Sequence, residues 1–154
     1  MRIYLAARYS RREELCGYRD QLQQLGHTVR AVWLDGKHQI SDSGEPIGDQ
    51  GEALVEGDDG SASERSAKLR AKFAYEDFRD VILCELFISF TEQPRSGFSR
   101  GGRHVELGIA MGTMKRIWIV GPRENLFCWH EDVRQFDTWD DCLLALASEK
   151  RRTA

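Results

Sequence analysis

Residues 85–120 read ELFISFTEQPRSGFSRGGRHVELGIAMGTMKRIWIV. Two short apolar runs, Glu85 to Phe90 and Lys115 to Val120, bracket a Gly-rich turn and a stretch with helical spacing from about Gly102 to Met114. Strand, turn, helix, strand is the unit from which parallel sheets are built, with a helix as the crossover. A glycine pair at the turn lets backbone N–H groups approach a ligand, and the helix start adds partial positive charge.

Working towards the N-terminus, the same alternation recurs. Leu69, Phe73, Phe78, Val81 and Ile82 mark the apolar face of a helix beginning near Ser66. Ile3 to Ala6 is a short buried strand ending in the small-residue turn of Ala6, Ala7 and Arg8. Ser10 with Glu13 three residues on fits a capping box. Leu15, Tyr18, Leu22 and Leu25 then follow at helical spacing, and Gly26 is placed to end that helix. His27 to Leu34 alternates and reads as a second strand. Towards the C-terminus, Val133 to Phe136 reads as a fifth strand. Asp137 or Thr138 is placed to cap a last helix from Trp139 to about Ser148, with a frayed tail from Arg151 to Ala154.

The pattern predicts one α/β domain over residues 1–150: three layers, a five-stranded parallel sheet in the flavodoxin-like order 2-1-3-4-5, and helices on both faces. Residues 36–66 are rich in Gly, Ser, Asp and Glu, and too long for an ordinary connection, so they read as a polar insertion or a lid. In such sheets ligands bind at the carboxyl ends of the strands, where strand order reverses. Ala6 to Tyr9, Thr91 to His104 and Gly121 to Asn125 converge there.

Composition narrows the function classes. The chain has 154 residues, 41% hydrophobic and 31% charged, with a formal net charge of -3. That balance argues against extended contact with nucleic acid and leaves room for a small anionic ligand held by local arginines. The four cysteines, Cys16, Cys84, Cys128 and Cys142, form no C-x-x-C pair, and no histidine lies at metal-ligand spacing from one. They read as reduced thiols of an intracellular, cytoplasmic protein. No apolar run approaches the ~20 residues of a membrane span, and the opening residues do not form a signal segment.

Two chemistries are legible in the Gly-rich stretch. Glu106, placed in the first turn of its helix and near Arg100 and Arg103, reads as a carboxylate kept ionised, suited to a nucleophile; a capping glutamate is the plainer alternative. Arg95, Ser96, Ser99, Arg100 and Arg103, with Gly101 and Gly102, supply what a phosphate needs, although neither phosphate-loop pattern is present; a charged surface loop is the alternative. Asp77 and Asp80 close the preceding helix and either faces the sheet edge or the surface. Tyr4, Tyr9 and Trp33 are placed either to stack on a base or to pack in the core.

Several pieces together resemble the nucleoside 2-deoxyribosyltransferase family, which includes the 2′-deoxynucleoside 5′-phosphate N-hydrolases. They are IYLAA at residues 3–7, Asp77 with Val81 and the Cys84–Glu85 pair, GRHVELG at 102–108 followed by Ala110, and KRIWIVG at 115–121. The resemblance implies a five-stranded parallel sheet, no metal or cofactor, and cleavage of an N-glycosidic bond by a glutamate that attacks C1′ of the sugar. That residue matches Glu106. Asp77 matches the aspartate that contacts the base or assists its departure. Tyr4, Ala6, Ala7, Arg8 and Gly102 match the base- and sugar-binding wall. The transferases carry an aspartate ahead of the glutamate that holds the sugar hydroxyls; Gly101 stands there instead. This departure resembles the monophosphate hydrolases and assigns Arg95, Ser96, Ser99, Arg100 and Arg103 to a 5′-phosphate. A homo-oligomer is implied, with Asn125 as a cross-subunit contact. Two other readings stand beside this one. One is a non-catalytic nucleotide-binding protein that senses or sequesters its ligand. The other is a phosphoribohydrolase of the lysine-decarboxylase-like group, whose Gly-Gly-containing loop is matched less well.

Overall fold

The structure, a computed structural model, describes residues 1–47, 61–93 and 101–153, with side chains given as far as residue 149. Five parallel strands stand in the order 2-1-3-4-5, as the alternation predicts. They are β1 (Arg2–Ala6), β2 (Thr28–Val29), β3 (Leu86–Phe90), β4 (Arg116–Val120) and β5 (Val133–Phe136). The helices are α1 (Arg12–Gln24), α2 (Glu64–Leu83), α3 (Gly102–Gly112) and α4 (Trp139–Thr153).

The central strand β3 is buried at all five positions, as a strand covered on both faces must be. Its side chains alternate between two cores. Phe90 meets Tyr18 of α1 (ring centroids 5.4 Å) and Trp139 of α4 (5.7 Å), and Tyr18 stacks on Trp139 at 4.5 Å. Phe87 points the other way and stacks on Tyr4, its register partner in β1, at 5.7 Å. Helices α2 and α3 pack against each other on that second side.

Five local expectations give way to the structure. The second strand is two residues long, and Val32–Asp35 forms a 3-10 turn instead. The last ladder-like bond runs from Arg30 N–H to Ile3 O. Beyond it, Asp80 Oδ2 accepts the Val32 N–H (3.3 Å) and the Trp33 indole N–H donates to Leu5 O (2.9 Å), replacing the bonds a longer strand would have made. Asp80 is wholly buried and ion-paired with Arg30 at 3.1 Å, so its task is structural.

The Ser10 capping box does not form. A 3-10 turn at Tyr9–Arg11 leads into α1, whose N-cap is Arg11 and makes no side-chain cap bond. Helix α2 starts earlier than its apolar pattern suggests, because Ser63 caps it by accepting the Ser66 N–H. Phe78 lies outside the core and is 48% exposed. The last helix runs on through Thr153 rather than fraying at Arg151. Its cap is Thr138, whose Oγ1 accepts the Asp141 N–H.

The described ends of the 36–66 segment are docked. Asp42 ion-pairs with Arg70 at 2.8 Å, Glu45 pairs with Arg65, and Ser66 Oγ donates to Ser41 O. Residues 48–60, the middle of the expected insertion or lid, lie outside the described part.

Candidate active site

Helix α3 begins at Gly101, which holds φ 82° in the left-handed region that glycine adopts without strain. No side chain caps this start. Glu106 is the fifth residue of the helix and not in its first turn, so it lies past the unpaired amides that would have stabilised its charge.

Its surroundings also work against ionisation. The Tyr4 hydroxyl donates to Glu106 Oε1 at 2.8 Å. Tyr4 is wholly buried in the middle of β1, where a phenol needs a partner. Burial of the Glu106 carboxyl, first, and the neighbouring Asp77 charge, second, push it up to about 8. The Tyr4 bond and Arg103 pull down by less. The expectation of a glutamate kept ionised by the helix start is therefore corrected: in the unliganded protein the carboxyl holds a proton at neutral pH. Burial and the nearby Glu106 hold the Tyr4 hydroxyl well above its usual range.

Asp77 faces this cluster from α2, one turn before the structural Asp80. Its Oδ1 is buried without a hydrogen bond and lies 3.4 Å from Nε2 of His38. The His38 ring packs on Phe73 at 4.4 Å, and neither ring nitrogen has a hydrogen-bond partner. Sequence reading missed His38 because it stands alone in a polar stretch. A signal was present only in the possibility that this segment folds back over α2.

The other expected site residues divide. Ala6 is buried at the end of β1, in register with Ser89, and the half-buried Ala7 and Arg8 continue along the carboxyl edge. Gly102 is the exposed first residue of α3, and an added Cβ there would meet nothing within 4 Å. Arg103, expected to bind phosphate, is buried and forked onto Glu124: Nε donates to Oε1 (3.2 Å) and Nη2 to Oε2 (2.6 Å). Arg95, Ser96, Ser99 and Arg100 lie outside the described residues. Tyr4 sits beneath Glu106 and stacks on Phe87, so its ring is core and its hydroxyl is the functional end.

Asn125 caps the 3-10 turn Leu126–Trp129 by accepting the Phe127 N–H and approaches His104 Nδ1 at 3.3 Å. With His104, Leu107, Gly108, Met111 and Phe127 it lines a groove of about 470 Å³ on a different side of α3 from Glu106. Among the described residues, no group of three or more His, Cys, Asp or Glu is arranged to hold a metal ion, and no helix is long and apolar enough to cross a membrane.

Comparison with known proteins finds the fold elsewhere. No family model matches the chain, and no curated protein matches its sequence. Solved structures do. The chain has the fold of enzymes that act on N-glycosidic bonds of nucleosides and nucleotides. One is the Clostridium botulinum CMP N-glycosidase BcmB, with 18% identity, a TM-score of 0.54, and 95% of this chain and 98% of that one covered. Another is a 2-deoxyribosyltransferase from the psychrotolerant bacterium Bacillus psychrosaccharolyticus, with 17% identity, a TM-score of 0.61, and 96% of each chain covered. The likeness is one of fold over nearly the whole length.

Proposed function

We propose that the protein cleaves the N-glycosidic bond of a 2′-deoxynucleoside or its 5′-monophosphate, with Glu106 as nucleophile. The observation that carries this is the cluster at the carboxyl edge of the sheet: Glu106 held by Tyr4 at 2.8 Å and close enough to Asp77 for the two carboxyls to oppose each other's charge. Two acidic groups around a sugar carbon are what a glycosidase with an oxocarbenium-like transition state requires. Its occurrence in a fold shared with a CMP N-glycosidase and a 2-deoxyribosyltransferase supports the same reading.

The proton inventory fits the reaction. At neutral pH Glu106 holds a proton, because its carboxyl is desolvated and the neighbouring Asp77 charge opposes its ionisation. A departing nucleobase needs one proton. As a Glu106 oxygen bonds to C1′, the bond from C1′ to the base nitrogen breaks and the proton leaves the pair for the base, by way of Asp77. Water, or the nitrogen of a second base, then attacks C1′ of the glycosyl-enzyme, releases the Glu106 carboxylate and returns a proton to the pair. His38 Nε2 lies 3.4 Å from Asp77 Oδ1. Ala6, Ala7, Arg8 and Gly102 border the space the substrate takes.

The monophosphate is the preferred form in this proposal. Helix α3 opens at Gly101, which has no side chain to cap it, and a helix start favours an anion. Arg95, Ser96, Ser99 and Arg100 complete that assignment as proposals from the sequence. The groove beside Asn125 is assigned to a second copy of the chain, which light scattering tests as a mass of twice 17.7 kDa or more.

Chromatography of a nucleoside and nucleotide panel tests the activity. Free base without an acceptor identifies a hydrolase, and new nucleoside only with an added base identifies a transferase. The non-catalytic alternative is favoured by one observation, the protonated Glu106, which is equipped to donate a hydrogen bond to a bound base. Tight nucleotide binding by calorimetry with no base released after long incubation establishes it instead.

A further inference from the structure

Glu124 takes no part in the chemistry above, yet its carboxylate is the most heavily used in the described structure near the site. It lies on the loop after β4, and its side chain is 7% exposed against 5% for Arg103. Besides the fork from Arg103, Oε2 accepts the Glu92 N–H at 3.0 Å, and Oε1 lies 3.6 Å from His104 Nδ1. One carboxylate therefore ties the chain just past β3 to the second and third residues of α3. It also fixes the guanidinium that sits one helical turn before Glu106.

That guanidinium is the cation acting on Glu106. An uncompensated positive charge at this distance in a poorly hydrated site holds a carboxyl ionised. A forked carboxylate cancels it. We infer that Glu124 is a positioning residue that sets the charge state of Glu106 at one remove, by neutralising Arg103 while it ties the start of α3 to the end of β3.

The groups facing Glu106 are few and can be held constant. Tyr4 comes from β1, Asp77 from α2 with His38 behind it, and Arg103 from α3 itself. Asp80 is bound to Arg30 and Val32 N–H, and His104 leans towards Glu124 and Asn125. Only the Arg103–Glu124 pair changes in the variants below.

The inference rests on the proposed role of Glu106 only for its consequence, that the alkaline limb of base release follows the same signs. The test itself needs no turnover. Glutamate side-chain carboxyls are labelled with carbon-13 and titrated by NMR, with the Glu106 signal assigned by its loss in Glu106→Gln. Glu124→Gln removes the forked carboxylate from Arg103, and the Glu106 midpoint falls by about one pH unit. Arg103→Met leaves Glu124 uncompensated, and the midpoint rises. The double variant Arg103→Met/Glu124→Gln carries no unpaired charge and titrates closer to the unmodified protein than either single variant. If Glu124→Gln does not fold, the double variant must still titrate below Arg103→Met. Midpoints that move the same way in both single variants, or that do not move, make the pair a purely structural tie and overturn the inference. Absence of base release by the unmodified protein would sink the proposed function and leave this titration standing.

Discussion

Tyr4 and Glu106 are 102 positions apart in sequence, and the phenol donates to the carboxylate at 2.8 Å. The bond joins the middle of β1 to the second turn of α3, and it favours the ionised form of Glu106. Tyr4→Phe keeps the ring stacked on Phe87 and deletes only the donor. A hydrogen bond to a charged group contributes about 1.5–3 kcal/mol, so base release at pH 7 should fall roughly 10- to 100-fold. The alkaline limb of the rate profile, set by loss of the Glu106 proton, should move up. Steady-state kinetics against pH check both, and an unchanged profile would deny the bond any role.

Asp77→Asn should separate two effects that usually travel together. Asp77 is a like charge that raises Glu106, so its removal lets Glu106 ionise at lower pH. The Glu106 midpoint therefore shifts down. Turnover nonetheless falls, because the proton route to the departing base is gone; general acid assistance is worth roughly 10²- to 10⁴-fold. A drop in kcat without the downward shift would place Asp77 on the substrate alone.

The raised Glu106 also has a signature in stability. Its folded value of about 8 lies above the ordinary 4.5 of an unfolded chain. Below pH 4.5 both states hold the proton and nothing is lost. Between 4.5 and 8 the unfolded state has released a proton the folded state retains, so this group's contribution falls by roughly 1.4 kcal/mol per pH unit. Above 8 the deficit is constant. Glu106→Gln removes the group, so its gain in melting temperature over the parent protein should be larger at pH 8 than at pH 5. Equal gains at the two pH values would contradict the raised value.

Gly121 shows how the strand ends are fitted together. It holds φ 114°, and a Cβ there would lie 2.8 Å from Thr91 Oγ1 and 2.9 Å from Thr91 O. Gly121→Ala combines backbone strain with overpacking and should cost about 2–4 kcal/mol. For a domain of this size the melting temperature should fall by roughly 5–15 °C in calorimetry. A change under 2 °C would mean that the β3 and β4 ends part easily.

What the sequence made legible follows from what repeats. Continuous apolar runs at Ile3 to Ala6, Glu85 to Phe90 and Ile117 to Val120 specify buried parallel strands, and their alternation with helices matches the order 2-1-3-4-5. Asp77 and Glu106 were picked out as candidates by position and resemblance, and the fold brings them together. Other features depend on contacts between distant segments and leave no local pattern. His27 to Leu34 alternates like a strand, but Asp80 and Leu5 O capture it as a 3-10 turn. Arg103 looked like a phosphate ligand because nothing local announces Glu124, 21 positions on. The charge state of Glu106 was misread because burial, which a helix position does not reveal, outweighs the helix start.

The central claim is that Glu106 forms the bond to C1′. Glu106→Ala, confirmed as folded by circular dichroism, should be incubated with each 2′-deoxynucleoside 5′-monophosphate beside the unmodified protein, and the free base quantified by chromatography. The account predicts base from at least one substrate with the unmodified protein and a loss of at least roughly 10³-fold with the variant. A folded Glu106→Ala protein that releases base at the parental rate would contradict it.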